Sequence, residues 1–254
     1  MREEIFGEAR LMLGDCIEAI PSIGRVQSLI TDSPYHAVMQ DNFGRVSIAR
    51  QGLGDIRKLA SVSRRGELAF GSVDELVDPI CKVSVPIVDK WFISFCIAEG
   101  VQHWRDALQA AGARYKRAMV WIKPDAMPQF NGQGPGIGHE MLVSAWCGKG
   151  HSSWNGGGRV GNFFHTKERD RVHDTQKPLP LMRELVSLFS DPDDLVLDPF
   201  CGSGTTLIAC MEQGRRAIGI EKDENVFDIA CKRLEGFMRQ PNLFAPKPEQ
   251  VELF

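Results

Sequence analysis

Leu195-Val196-Leu197-Asp198-Pro199-Phe200-Cys201-Gly202-Ser203-Gly204-Thr205-Thr206 is the stretch whose reading decides the fold. Leu195 to Leu197 is a short apolar burst that predicts a buried parallel strand, and Leu207-Ile208-Ala209-Cys210-Met211 continues beyond the turn at helical spacing. Gly202 and Gly204 let the backbone turn sharply and approach a ligand with no Cβ in the way, and the helix that follows directs its free N–H groups into the same space. Taken alone, the turn is equally a plain strand-to-helix connection. One helix further on, Arg216-Ala217-Ile218-Gly219-Ile220-Glu221 predicts a second buried strand that ends in a carboxylate. An acid at that tip of a doubly wound unit is placed to accept hydrogen bonds from ribose hydroxyls, so the expected ligand is nucleoside-like. Gly204-Thr205-Thr206 lacks the Gly-Lys-Ser/Thr of a phosphate loop, which disfavours a nucleoside triphosphate.

Working outward, Leu11 to Cys16, Val26 to Ile30, Lys90 to Cys96, Arg114 to Lys123 and His139 to Trp146 read as further strands. Val73 to Asp89 and Gln102 to Ala111 read as helices, and Asn225 to Arg239 as an amphipathic helix. Strands alternating with helices predict an α/β fold, a doubly wound, mostly parallel seven-stranded sheet with a late antiparallel hairpin. Residues 1–239 are expected to form one domain, with inserted loops at about 37–72, 124–138 and 148–173, and 240–254 a proline-rich extended tail.

Asp32-Ser33-Pro34-Tyr35 follows the Val26 to Ile30 strand, where a binding loop begins. This tetrapeptide and the Asp198 to Thr206 turn carry a resemblance: the chain resembles the S-adenosylmethionine-dependent DNA amino-methyltransferases, in which a D/N/S-P-P-Y tetrapeptide does the chemistry and a D-P-F-x-G-x-G-T-T turn holds the cofactor. The tetrapeptide comes first and the turn last, an order similar to the β class, and the fold implied is the Rossmann-like methyltransferase fold. The resemblance makes Asp32, Ser33, Pro34 and Tyr35 the expected catalytic residues. It implies that Asp198, Phe200, Gly202, Ser203, Gly204, Thr205, Glu221 and Lys222 hold the cofactor. Asp15 and Cys16 would contact its adenine, although Asp15 could equally cap the helix that follows. Asp174-Thr175-Gln176-Lys177-Pro178 resembles the motif lining the methionine end, which adds Thr175 and Lys177.

The chemistry explains those residue types. The methyl group of a sulfonium is already electrophilic, whereas the amino nitrogen of adenine or cytosine has its lone pair delocalised into the ring. Asp32 accepting one amino proton and the Ser33 carbonyl accepting the other would localise that lone pair for direct displacement. The base must leave the duplex to reach the loop, and Tyr35 offers a face to stack on. Ser33 departs from the more usual proline, which affects loop stiffness more than the carbonyl. Methylation at ring carbon needs a cysteine nucleophile in a Pro-Cys setting, and the sequence has no such dipeptide. The leading Asp resembles the adenine-modifying members, with the amino group of cytosine as the alternative; a non-catalytic DNA- or clamp-associated accessory is the reading from another class.

Composition sets bounds. The 254 residues carry a net charge of −3 with 43% hydrophobic residues, so DNA binding must rest on local basic groups. Arg45, Arg50, Arg57, Lys58, Arg64 and Arg65 stand against Asp41 and Asp55 in one segment, and Arg159 and Lys167 lie in an aromatic, glycine-rich loop. Either set reads as phosphate contacts or as solvated loop charge. Seven scattered cysteines without C-x-x-C spacing argue against disulfides and a zinc site, so no metal is expected. No run is long enough for a membrane span and no signal pattern opens the chain, which makes the cytoplasm the expected location. Double-stranded DNA is the expected partner, with a homodimer also considered. The tail shows Q-x-x-L-F twice, and Gln250 to Phe254 resembles the motif that docks on the replication sliding clamp; its Phe could equally pack on its own domain.

Overall fold

The computed structural model describes residues 2–33, 73–128, 134–167 and 176–239. The chain opens with β1 (Arg2–Phe6), which turns at Gly7 (φ +55) into β2 (Ala9–Leu13). The order is then α1 (Cys16–Ala19), β3 (Ser28–Asp32), α2 (Val73–Ser84), β4 (Trp91–Cys96), α3 (Val101–Ala110) and β5 (Arg114–Ile122). It continues through β6 (His139–Trp146), β7 (Asn162–Phe164), α4 (Leu179–Phe189), β8 (Leu195–Asp198), α5 (Thr205–Glu212), β9 (Arg216–Glu221) and α6 (Glu224–Met238).

Nine strands of the described residues form one sheet in the order β1-β2-β9-β8-β3-β4-β6-β5-β7. The five strands from β2 to β4 run parallel, β5 and β6 form the antiparallel hairpin, and β1 and β7 add the edges. The expected class therefore holds while the expected count of seven does not. Both extra strands lie at edges, where one-sided exposure removes the apolar run that marks a buried strand. Arg2–Phe6 is held by ion pairs from Arg2 to Asp228 and Arg10 to Glu3, and Asn162–Phe164 is only three residues long.

The parallel strands are apolar on both sides, as a sheet covered on two faces requires. Leu11, Ile30, Ile93, Val196 and Ala217 point into the layer formed with α4, α5 and α6. Their chain neighbours Met12, Leu29, Phe92, Leu197 and Ile218 point into the layer formed with α1, α2 and α3. Period-two alternation thus divides the core in two. Each fully buried Leu, Ile or Phe contributes roughly 1.5–3 kcal/mol relative to exposure. Pro79 is tolerated inside α2, which ends in a 3₁₀ turn at Val85–Ile87.

The connection through α5 carries the chain from β8 away to β9 on one face, and the connection through α2 carries it from β3 away to β4 on the other. The neighbours β8 and β3 therefore flank a switch point, and the crevice outside their carboxyl ends is where an open α/β sheet binds ligands. The loop expected at 148–173 is anchored where it is described. Asn155 Nδ2 donates to Ser187 O and Ser190 O, Trp154 packs 5.7 Å from Phe189, and Phe163 is fully buried. No helix of the described residues is long and apolar enough to cross a membrane.

Candidate active site

Asp32 is the last residue of β3 and Asp198 the last of β8, side by side at the carboxyl edge of the sheet. Leu29 to Asp32 is an unbroken apolar-to-acid strand wedged between two parallel partners, which is why its carboxylate emerges there and nowhere else. Thr31 Oγ1 donates to Asp198 Oδ1 at 2.6 Å, Phe200 N donates to the same oxygen at 3.2 Å, and Thr206 Oγ1 donates to Oδ2. Asp198 is 2% exposed, and burial pushes its carboxyl up to about 6 against the pull of those donors. Both oxygens are engaged within the protein. The residue ties the strand of Asp32 to the first turn of α5.

The glycine turn stands directly beyond Asp198. Gly202 (φ +53) and Gly204 (φ +82) occupy the left-handed region that only glycine adopts without strain, and a Cβ at Gly202 would meet open space. Gly204 caps α5, so the free N–H groups of that helix face the crevice. Cys201 N donates to Ile220 O at 3.0 Å, and Gly219 lets β9 approach so closely that a Cβ there would lie 2.9 Å from Cys201 Sγ. Arg233 of α6 clamps the turn from behind: its Nη1 donates to Ser203 O at 2.5 Å, Ser203 Oγ at 2.8 Å and Thr205 Oγ1 at 3.1 Å. Sequence reading missed Arg233, because on a helix of alternating charge nothing distinguishes it from a solvated residue.

Glu221 ends β9, where burial raises its carboxyl while the N–H groups of Asp223, Lys222 and Gly202 favour the ionised form. Its Oε1 accepts from Asp223 N at 2.8 Å. Asp15 Oδ1 caps α1 through Ile17 N at 2.9 Å, and Oδ2 accepts from Lys222 Nζ at 2.8 Å, which holds its carboxyl below the usual range. Cys16 is buried and its thiol is pushed up to about 12 by burial. Phe200 packs on the layer below. Four carboxylates thus follow one another along the same edge in sheet order: Asp15 just beyond the end of β2, then Glu221, Asp198 and Asp32 as the last residues of β9, β8 and β3.

Lys177 reaches the Asp32 side of this edge. Its Nζ lies 2.6 Å from Asp32 Oδ2 and 3.0 Å from Glu140 Oε2, and 4.9 Å over the Phe95 ring. Glu140 also pairs with Lys123, whose ammonium sits 4.7 Å over Trp121. Burial pushes the Asp32 carboxyl above its ordinary value and Glu140 adds to that, while Lys177 and Lys123 pull it down. Burial alone would raise Glu140 too, but the two lysines hold it below its ordinary range. Ser33 Oγ donates to Phe95 O at 3.0 Å. Neither Lys123 nor Glu140 was marked by any sequence motif; they come from the hairpin, and only the fold brings them here.

Of the two DNA-contact candidates that are described, Arg159 pairs with Glu184 of α4 and lies 5.9 Å over Phe163, while Lys167 N donates to Asp125 Oδ2 at 3.1 Å. Pro34, Tyr35, Thr175, Arg45, Arg50, Arg57, Lys58, Arg64, Arg65 and Gln250 to Phe254 lie outside the described residues.

A family model described as DNA methylase matches residues 26–232, from the strand that carries Asp32 to α6. The chain belongs to the N6_N4_Mtase family of DNA methylases. Among its relatives in this methylase family, the putative methylase YubD of Escherichia coli (strain K12) is 25% identical over 235 residues, covering 91% of this chain and 92% of that one. The type II methyltransferase M.HindIII of Haemophilus influenzae is 41% identical over 104 residues, 39% of this chain and 33% of its own length. M.Cfr9I of Citrobacter freundii, also a type II methyltransferase, is 34% identical over 143 residues, 51% and 47% of the two chains. The chain therefore spans nearly all of YubD and half or less of these type II enzymes. The crystal structure of M1.HpyAVI is similar with a TM-score of 0.65 at 26% identity, over 89% of this chain and 98% of that one. PvuII DNA methyltransferase, at 14% identity and a TM-score of 0.64 over 93% and 88%, shares the fold.

Proposed function

We propose that the protein transfers a methyl group from S-adenosylmethionine to the exocyclic amino nitrogen of adenine in DNA. The observation that carries this reading is the pair of neighbouring strands at the switch point, one ending in Asp32 and the other opening into the Gly202–Gly204 turn. A carboxylate and a nucleoside cradle then share one crevice. Membership of the DNA methylase family supports the substrate, and the structure of an M1.HpyAVI–SAM complex supports the methyl donor.

The cradle fits a nucleoside ligand. The N–H groups opening α5 face the crevice, Glu221 is placed for ribose hydroxyls, and Asp15 and Cys16 border the adenine side, with Lys222 latching Asp15. S-adenosylmethionine, when bound, supplies an electrophilic methyl on its sulfonium. Asp32 accepts a hydrogen bond from one N–H of the target amino group and the Ser33 carbonyl accepts one from the other, which pulls the nitrogen toward tetrahedral geometry. That nitrogen would take the methyl carbon in place of the sulfonium sulfur, which would keep the electron pair of the S–C bond, and it would give up one proton through Asp32 to solvent. The base is flipped out of the duplex to reach Asp32, with Tyr35 as its stacking platform. The leading Asp of the tetrapeptide favours adenine. Phosphate contacts are assigned to the basic residues between Asp41 and Gly66.

Nucleoside analysis tests the reading. After incubation with unmodified genomic DNA and deuterium-labelled S-adenosylmethionine, enzymatic digestion and mass spectrometry should show labelled N6-methyldeoxyadenosine. Labelled N4-methyldeoxycytidine instead would overturn the base assignment, and no labelled nucleoside would overturn the reaction.

The clamp on the turn has its own expected effect. Arg233→Met removes the hydrogen bonds to Ser203 and Thr205, each worth roughly 1.5–3 kcal/mol when one partner is charged. Cofactor affinity should fall on the order of ten-fold with turnover at saturating cofactor near normal; calorimetry showing unchanged affinity would assign Arg233 to stability alone.

A further inference from the structure

Asp32, Lys177, Glu140 and Lys123 form one alternating chain of charges, from four places in the sequence: the end of β3, the turn before α4, the second residue of β6 and the residue after β5. Side-chain exposure is 26% at Asp32, 6% at Lys177, 17% at Glu140 and 9% at Lys123, so Asp32 is the most open of the four and the end that meets the crevice. Lys177 is walled by Phe95 and Trp121, which meet edge to face at 6.3 Å. A buried ammonium costs several kcal/mol unless it is paired. One carboxylate, Asp32, would satisfy Lys177 only while its own charge stayed on the ammonium. The second carboxylate, Glu140, gives Lys177 a permanent partner, and Lys123 balances Glu140 in turn.

We propose that Glu140 is a positioning residue of methyl transfer: anchored by Lys123, it holds Lys177 Nζ against Asp32 Oδ2, so that the carboxylate meets the target amino group in one fixed orientation. Lys177 thereby serves the acceptor side of the reaction, whereas its motif resemblance places it at the methionine end of the cofactor. The inference rests on the reading of Asp32 as the amino-proton acceptor. It adds three residues that act through Asp32.

Among the described residues, the charged groups that face Asp32 are Lys177 from the turn before α4, Glu140 from β6, Lys123 just after β5 and Asp198 from β8. Glu140 raises the Asp32 carboxyl and Lys177 lowers it. Two charge-removing variants therefore move the acidic limb of the pH–rate profile in opposite directions. Glu140→Gln removes a negative neighbour that raises the Asp32 carboxyl, so the limb moves to lower pH. Lys177→Gln removes the compensating cation, so it moves to higher pH.

The test is single-turnover methyl transfer between pH 4.5 and 9, a range set by roughly the carboxylate-to-lysine titration span, alongside cofactor affinity by calorimetry. Glu140→Gln should slow transfer on the order of 10- to 100-fold, the cost of a misplaced reacting group, with cofactor affinity within two-fold or so of wild type. Glu140→Asp, which restores the charge, should recover part of the rate and the wild-type limb. Unmoved limbs, or both limbs moving the same way, would overturn the proposal, as would a loss confined to cofactor affinity. If one glutamine variant fails to fold, the direction of the other's limb still decides. An Asp32→Asn variant separates the two readings: full activity there sinks the acceptor role of Asp32, whereas an inactive Asp32→Asn beside a fully active Glu140→Gln with an unmoved limb sinks only the role of Glu140.

Discussion

Replacing Asp32 with alanine should reduce methyl transfer on the order of 10³-fold or more while cofactor affinity stays near wild type. General-base and hydrogen-bond assistance to a reacting group contributes typically about 10²–10⁴-fold, and here the same carboxylate also orients the amino group. The variant keeps the cofactor cradle because Asp32 makes none of the contacts that hold the Gly202–Gly204 turn, which hang on Asp198, Ile220 and Arg233. It also leaves Lys177 paired with Glu140, so the ammonium is not abandoned in the aromatic pocket and the protein should still fold. Rapid-quench methyl transfer together with calorimetry separates the two quantities. Near-normal transfer by the variant would remove Asp32 from the mechanism, and loss of cofactor affinity would relocate it to the cradle.

Asp198→Ala should be the most damaging of the changes to stability, by about 2–4 kcal/mol, and should also abolish measurable cofactor binding. Hydrogen bonds to a charged group contribute roughly 1.5–3 kcal/mol each, and a buried hydroxyl left without its acceptor adds a desolvation cost. Removing Asp198 strands Thr31 and Thr206 together and frees the glycine turn from β3. Urea unfolding measures the first effect. Wild-type stability in the alanine variant would show that the turn is held by its backbone alone.

The Asp198→Asn variant gives a pH signature of its own. In the unfolded chain the carboxyl titrates near the ordinary value of about 3.9, whereas in the folded protein burial pushes it up to about 6. Between those values the folded state holds a proton that the unfolded state has lost, so this group's contribution to stability falls as pH rises from about 4 to about 6. A displacement of that size is on the order of 3 kcal/mol. Asp198→Asn cannot titrate, so its stability should gain on that of the wild type as pH rises across the window. A constant difference between the two proteins from pH 4 to pH 7 would show that Asp198 keeps its charge throughout.

The elements that sequence determined are those whose cause is local. Leu195 to Leu197 and Ala217 to Ile220 are apolar on both sides, so they had to be central strands. Gly202 and Gly204 sit at positive φ where other residues are strained, so the turn between them was legible from two glycines. Asp32 and Glu221 could be placed at strand ends because a carboxylate cannot continue a buried apolar run. The motif order sufficed to put both at one edge of a parallel sheet. The edge strands Arg2–Phe6 and Asn162–Phe164 were missed because half of each faces water and its composition follows solvent, not the sheet.

Tertiary structure alone decided what each polar group spends its charge on. Asp198 reads in sequence as a cofactor ligand, and the fold adds that both its oxygens accept from Thr31, Phe200 and Thr206, since a buried carboxylate collects the donors in reach. Arg159 reads as a DNA contact, and the fold sets Glu184 beside it. Glu140, Lys123 and Lys177 are separated by 17 and 37 positions from one to the next, in the order Lys123, Glu140, Lys177, yet meet within hydrogen-bonding distance. Backbone conformation follows from neighbours along the chain. Ion pairing depends on distance through space, which only the folded sheet supplies.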